Sequence, residues 1–268
     1  MSRKTVKPRM TGLLVRVALL LLLTAAQLSA QDEGETTLMA QFRAANQAYS
    51  EGAYALALKG YRELLDAADP SAELYYNTGC AALKTGELGE AVVNFHRASR
   101  LNPRDPDIRF NLQFVGELTR PKGEEEEAEN VFFGLLSRLV FSLTTREASI
   151  IQLAFLLVFT LGAVTAATGA VGGKRKFALA LTLTGLFLLL VNSSVLGLHI
   201  YRFTYVSEAV VLQADVEALS GPGEDNTRVL VIPEGTVMRV REQRGDWALV
   251  SLPSGRSGWL RLELIEVI

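Results

Sequence analysis

The sequence contains very few of the residues that build disulfide frameworks and metal centres. Its 268 residues include one cysteine, Cys80, which excludes an internal disulfide and a multi-cysteine metal site. The two histidines, His96 and His199, have no carboxylates at metal-ligand spacing. The formal net charge is only -2 and the basic residues are scattered or flank apolar runs, so nothing indicates nucleic-acid binding. We therefore expect no metal, no cofactor and no nucleic-acid partner.

Apolar residues, by contrast, form 49% of the chain and concentrate in three runs. The first run, Val17 to Ala26, follows a basic leader and is about ten residues long, which is the pattern of a secretory signal peptide. Small residues follow it, so residues 1–30 are predicted to be a signal peptide cleaved after Ala26 or after Ala30. The alternative is an uncleaved anchor.

The two later runs are long enough to cross a membrane. Residues 149–171 and 177–201 each approach the roughly 20 residues that span the hydrocarbon core. The loop between them, Gly172 to Lys176, carries three cations, and the positive-inside rule places such a short loop in the cytoplasm. Both flanks must then lie outside, which agrees with export by a signal peptide. The sequence therefore predicts a transmembrane hairpin with two external domains.

The segments next to the hairpin have their own patterns. Residues 119–130 are rich in glutamate and are predicted to be an acidic linker. Apolar residues at helical spacing in 131–143 predict a helix that either lies on the membrane surface or packs on the preceding domain. Asn192 and His199 are polar residues of the second apolar run, and we interpret them as interhelical hydrogen-bonding groups rather than a proton or ion path.

Residues 37–118 have the pattern of a helical repeat domain. Similar residues recur 34 positions apart, which is the period of the tetratricopeptide repeat. Small residues fall where antiparallel helices approach closely, and aromatic residues fill the space between neighbouring helices. A half-unit over 106–118 is predicted to cap the stack. The repeated pairs are Ala45 and Gly79, Gly52 and Gly86, Tyr54 and Leu88, Ala57 and Ala91, and Tyr61 and Phe95.

The resemblance to tetratricopeptide domains implies a peptide-binding groove lined by the first helix of each repeat. Asn46 and Asn77 match asparagines that hold the peptide backbone in that family. Phe42 stands where members that grip a C-terminal carboxylate have a cation, which favours an apolar segment as the ligand. The alternative is that the aromatic residues only cover a small stack. The candidate groove residues are Phe42, Asn46, Tyr49, Tyr76, Asn77, Cys80, Lys84, Phe110 and Phe114.

The last 60 or so residues change to the alternating pattern of short β-strands, which favours a small barrel. Four segments, ending at Pro222, Thr236, Trp247 and Leu260, follow the order of the bacterial SH3-like domain, and the resemblance covers 206–268. Trp247 is the candidate for a ligand-binding surface on this domain, whereas we interpret Trp259 as a core residue. The predicted strands are 209–214, 228–232, 236–242, 247–252 and 258–260.

The complete order of segments resembles the BatE family of the Bacteroides aerotolerance operon, with the sequence from Ala72 to Asn111 especially similar. The resemblance implies an envelope complex that contains membrane proteins with von Willebrand factor A domains and, on the cytoplasmic side, a MoxR-type ATPase. It also implies a location in the bacterial inner membrane, with both domains facing the periplasm.

We therefore predict a membrane-anchored scaffold or adaptor rather than an enzyme. Wall peptidases need a Cys–His, Ser–Lys or zinc constellation, and no histidine follows His199. One alternative is a cell-wall-binding accessory of a peptidoglycan enzyme, whose barrel binds peptidoglycan peptides, and another is an envelope stress sensor. The predicted fold is a multidomain membrane protein with α-helical tetratricopeptide repeats, two transmembrane helices and a C-terminal all-β SH3-like barrel.

Overall fold

The computed structural model describes residues 37–67, 69–121, 142–169, 175–205 and 207–268, together with residues 135 and 140. The predicted signal peptide, residues 172–174 of the cationic loop, most of the acidic linker and most of the predicted helix at 131–143 lie outside the described residues, so these stay predictions. The chain divides into two compact units, Met1–Asp69 and Pro70–Ile268.

The first unit is a helical hairpin. Helix α1 covers residues 37–50 and helix α2 covers Tyr54–Ala67. Gly52 lies in the turn between them with a φ of 82°, a left-handed conformation that glycine adopts without strain. A Cβ atom placed on Gly60 would lie 3.1 Å from Cβ of Ala45, so the two helices touch where the repeat pattern predicts a small residue.

The second unit begins with three more helices, α3 (Ala72–Thr85), α4 (Leu88–Leu101) and α5 (Pro106–Leu118). Each boundary has a local cause. The hydroxyl of Ser71 caps α3 by accepting the N–H of Leu74, and Gly86 ends that helix with a φ of 86°. Asp105 caps α5, whose first residue is a proline, a combination that favours a helix start.

The core of these helices follows the predicted repeat. Phe95 and Ala91 of α4 are fully buried, and the ring of Phe95 lies against Gly79 of α3. Ile108 and Val115 form the buried face of α5. The predicted packing of Ala91 and Phe95 beside Gly79 is therefore confirmed, as is the apolar face of α5 at Ile108 and Val115.

Two long apolar helices follow, α6 (Thr145–Thr168) and α7 (Arg175–Tyr205), and they pack as an antiparallel hairpin. By length and composition both are able to cross a membrane. Glycines bring their backbones together, since a Cβ atom on Gly162 would lie 2.8 Å from the backbone nitrogen of Thr182. Asn192 donates to Oε1 of Gln152 at 2.8 Å, which confirms the prediction of interhelical hydrogen bonding.

The C-terminal domain is a seven-stranded antiparallel sheet in the order β3-β2-β6-β5-β4-β1-β7. Alternate residues of its strands point into one apolar core that includes Val211, Ile232, Met238 and Leu260. Two strands, β2 and β7, occur where the sequence predicts none. The strands are β1 (Glu208–Val211), β2 (Val216–Leu219), β3 (Arg228–Ile232), β4 (Val237–Arg244), β5 (Trp247–Ser251), β6 (Ser257–Arg261) and β7 (Ile265–Val267).

The sheet domain packs directly on the repeat helix α4. The backbone N–H of Gly89, in the first turn of α4, donates to the carboxylate of Glu234 at 2.8 Å. Further along the same helix, Arg97 forms an ion pair of 2.5 Å with Glu266. The hydroxyl of Thr236 donates to the carbonyl oxygen of Thr119 after α5. Helix α4 and the residue after α5 therefore share an interface with the sheet, which their separation in sequence does not suggest.

The same unit joins the repeat helices to the ends of the apolar hairpin. Arg104, in the loop between α4 and α5, forms an ion pair with Glu147 in the first turn of α6. Glu147 is also part of a capping box with Thr144, which fixes the start of that helix. His199 of α7 places Nε2 3.0 Å from the carbonyl oxygen of Leu143. Helices α4, α6 and α7 thus meet at one junction.

Candidate functional site

One face of α3 carries four of the predicted groove residues. Tyr76, Cys80 and Lys84 are spaced four residues apart and therefore follow one another along the helix, with Asn77 beside them. The hydroxyl oxygen of Tyr76 accepts a hydrogen bond of 3.3 Å from the side-chain amide of Asn111. This contact connects the face of α3 to α5, a link that the sequence pattern does not predict.

Burial determines the protonation of this face. It is the main cause that raises the pKa of Tyr76 far above its usual value, with smaller contributions from the nearby Cys80 and Asp107. Burial also raises the pKa of the Cys80 thiol, although a hydrogen bond with Tyr76 and the charge of Lys84 act in the opposite direction. Both groups stay neutral near pH 7, so the face offers hydrogen-bonding groups rather than a reactive thiolate.

Helix α5 contributes large apolar side chains beside these polar groups. Phe110 and Phe114 are 69% and 46% exposed, and they lie one turn apart on the helix. Leu118 extends the same row by one more turn. Asn111 precedes Phe114 by three residues, so the polar contact to α3 and the exposed aromatic residues occupy adjacent positions. We call the surface formed by Tyr76, Cys80, Asn111, Phe110 and Phe114 the α3–α5 face.

The predicted groove residues of the first unit are engaged in its own packing. Asn46 accepts a hydrogen bond of 2.7 Å from the hydroxyl of the buried Tyr61. The ring of Phe42 lies 6.2 Å from that of Tyr61, and Tyr49 meets Tyr54 edge to face at 5.1 Å. Asn46 therefore has a structural role in holding Tyr61, and its role in holding a peptide backbone stays a prediction.

The sheet domain places its two tryptophans differently. Trp259 is only 7% exposed, which confirms its interpretation as a core residue. Trp247 begins β5 and is half-buried, with the guanidinium of Arg261 5.6 Å from the ring centre. Arg261 also forms ion pairs with Glu224 and Glu263, so one side of the Trp247 ring is covered by a fixed cation.

The described residues contain no group of three or more histidine, cysteine, aspartate or glutamate side chains that could hold a metal ion. Of the surfaces described above, the α3–α5 face combines exposed aromatic area with oriented polar groups. That combination suits an extended apolar peptide, whose backbone needs hydrogen-bonding partners and whose side chains need apolar contact.

Comparison with known proteins gives a partial similarity. No protein-family model matches the chain. The photosystem I assembly protein Ycf3 of Rippkaea orientalis (strain PCC 8801 / RF-1) is 34% identical over 98 residues, which cover 34% of this chain and 57% of that protein. Ycf3 of Cyanophora paradoxa is 34% identical over 100 residues, covering 35% of this chain and 58% of that protein. The chain thus spans little more than half the length of the curated relatives that it matches.

Proposed function

We propose that this protein is a membrane-anchored adaptor that binds an apolar segment of a partner protein on its α3–α5 face. The observation that carries the proposal is the position of Phe110 and Phe114 next to the hydrogen-bonded pair of Tyr76 and Asn111. The aromatic residues supply apolar area, and the residue proposed to hold the peptide backbone is Asn77, also on α3. An enzymatic role is not part of this proposal.

The comparisons support an assembly role. Both relatives are named as assembly proteins of photosystem I, although each matches only about a third of this chain. From these relatives we infer only a general task, which is to assist assembly through protein contacts. We do not propose the photosystem or its subunits as partners of this chain.

The proposed arrangement in the membrane follows from the hairpin. Helices α6 and α7 cross the bilayer, and the cationic loop that joins them lies in the cytoplasm. The repeats and the sheet domain then both lie in the periplasm of a bacterial cell. Their shared interface, with Gly89 against Glu234, supports this because domains that pack together must lie on one side.

The resemblance in the sequence supports a finer assignment. We propose that the sheet domain is SH3-like and that the partners belong to an aerotolerance-type envelope complex. Its members would be membrane proteins with von Willebrand factor A domains and a MoxR-type ATPase. The alternative role, a cell-wall-binding accessory, would use Trp247 as its contact for peptidoglycan peptides, and an envelope stress sensor is the third possibility.

The test of the α3–α5 face is a double substitution, Phe110→Ala with Phe114→Ala. Both side chains are exposed, so the fold should persist while crosslinked recovery of a co-expressed von Willebrand factor A-domain membrane protein falls at least tenfold. Leu56→Ala is the matched control, because Leu56 is also exposed, at 63%, and lies on α2. Equal recovery by the double variant and the control would rule out this face as the binding surface.

A second variant tests whether the repeat helices or the sheet domain binds the partner. Trp247→Ala should leave partner recovery unchanged if the α3–α5 face is the binding surface. If instead Trp247→Ala abolishes sedimentation of the protein with purified peptidoglycan and the phenylalanine variants do not affect partner recovery, the cell-wall accessory role is the correct one.

A further inference from the structure

A small cavity lies at the junction of the repeat helices with the two apolar helices. Its volume is about 120 Å³. Helix α4 contributes His96 and Arg100 to its lining, the end of α7 contributes His199 and Arg202, and β1 contributes Glu208. The cavity is thus built by parts of one compact unit that are distant in sequence.

The lining is cationic. Two guanidinium groups, of Arg100 and Arg202, and one carboxylate, of Glu208, give a formal charge of +1 when both imidazoles are neutral. Burial, together with the smaller effect of the charges of Arg100 and Arg202, lowers the pKa of His96 to about 4. Burial likewise lowers the pKa of Arg100, with Glu208 opposing this and Arg202 adding to it. The positive charges therefore act on one another across the cavity, and a bound anion would reduce that repulsion.

The cavity lies at the boundary between polar and apolar parts of the molecule. Thr144, which caps α6, also lines it, and the apolar stretch of α6 begins within the next turn. With α6 and α7 across a bilayer, this level corresponds to the lipid headgroups. A ligand that enters the cavity therefore comes either from the aqueous phase or from the headgroup layer.

We propose that this cavity binds a phosphate group, either the phosphodiester of an anionic lipid headgroup or free phosphate. Guanidinium groups bind phosphate oxygens in a planar, two-point geometry, which an ammonium group does not reproduce. The volume is well below the roughly 300 Å³ of sites for larger small molecules, so the site holds the phosphate and not the rest of a nucleotide or a lipid. The site is separate from the proposed partner-binding surface, because it contains no residue of α3 or α5.

The experiment uses the full chain purified in dodecyl maltoside, a detergent without phosphate. The probes are dioctanoyl phosphatidylglycerol, inorganic phosphate and, as the phosphate-free control, dioctanoylglycerol. Native mass spectrometry measures bound probe, and the thermal melting midpoint reports stabilisation. We expect phosphatidylglycerol to bind the unaltered protein at least tenfold more tightly than it binds the variant Arg100→Gln with Arg202→Gln, and dioctanoylglycerol not to bind.

The matched control variant is Arg43→Gln with Arg109→Gln, which removes the same charge from exposed positions outside the cavity. It should bind as the unaltered protein does. If the glutamine variant of the cavity fails to fold, Arg202→Lys keeps the charge and removes the two-point geometry, so it should still weaken binding severalfold.

The outcomes separate the two sources of phosphate. Binding of phosphatidylglycerol alone assigns the site to a lipid headgroup, and binding of inorganic phosphate at least as tightly assigns it to the free ion. The proposal is overturned if neither probe binds, or if the cavity variants bind as tightly as the Arg43 and Arg109 control.

Discussion

Gly79 lies so close to Phe95 that a Cβ atom on the glycine would be 2.9 Å from Cδ1 and Cε1 of the ring. Because Phe95 is fully buried, its ring has little room to move away. Gly79→Leu should therefore lower the free energy of unfolding by about 1–3 kcal/mol or more. Thermal melting of the full chain and hydrogen exchange over α3 and α4 measure the effect.

The control is Gly116→Ala in α5, because a Cβ atom placed there would contact nothing within 4 Å apart from the adjoining backbone of its own helix. Alanine favours a helix over glycine, so this variant should gain about 0.5–1 kcal/mol. Equal melting of Gly79→Leu and the unaltered protein would show that α3 and α4 do not pack in this register.

A second prediction concerns the interface between α4 and the sheet domain. A Cβ atom on Gly89 would lie 2.6 Å from the carbonyl oxygen of Val211, so Gly89→Ala should separate the two surfaces. Hydrogen exchange should rise in β1 and in the first turn of α4, while the inner strands of the sheet stay protected. Glu234→Gln should have a smaller effect in the same places, because it weakens only the charge-assisted bond to Gly89. Unchanged exchange in both variants would contradict the interface.

The third prediction is a pH dependence that arises from His96. Its pKa is lowered from 6.5 to about 4 by burial and by the charges of Arg100 and Arg202, with Glu208 as the carboxylate in the same cavity. A lowered pKa means that the unfolded chain binds the proton more tightly than the folded protein does. Stability from this group is therefore complete above pH 6.5 and is lost as the pH falls towards 4, by about 1–3 kcal/mol.

Thermal melting between pH 7.5 and 4 measures this loss. His96→Gln removes the titrating group and should flatten the curve relative to the unaltered protein, while the carboxylates that also titrate in this range are common to both. The interpretation fails if the two proteins lose stability in parallel.

The fourth prediction concerns membrane topology. In a Cys80→Ser background, a single cysteine at Ser220 should react with an impermeant maleimide in intact spheroplasts. A single cysteine at Lys174 should react only after permeabilisation, because the loop is predicted to be cytoplasmic. Labelling of position 174 in intact spheroplasts would show that the hairpin has the opposite orientation or does not span the membrane.

Periodicity in the sequence predicts the parts of this fold that depend on local spacing. The 34-residue repeat predicts a small residue at Gly79 and a space-filling ring at Phe95, and a run rich in β-branched residues that is followed by Pro233 predicts β3 with its observed ends. Strands β2 and β7 are missed because each has only three or four residues, too few to establish an alternation.

Contacts between distant segments cannot be predicted in this way. The bond from Asn111 to Tyr76 joins positions 35 apart, close to one repeat, yet it depends on how α3 and α5 are rotated. Gly89 and Glu234 are 145 positions apart and belong to segments with no shared pattern. The cavity at Arg100 and Arg202 needs the same tertiary arrangement, so no sequence signal indicates it.

The ion pair between Arg104 and Glu147 ties the loop before α5 to the first turn of α6. With α6 embedded in a bilayer, the α3–α5 face is then presented at a set height and angle above the lipid. A partner anchored in the same bilayer diffuses to this face in two dimensions. Its orientation is already restricted by the membrane, so it loses less orientational freedom when it binds. We therefore expect a soluble form of the repeats to capture the same segment more weakly than the embedded protein does, even though every contact atom is retained.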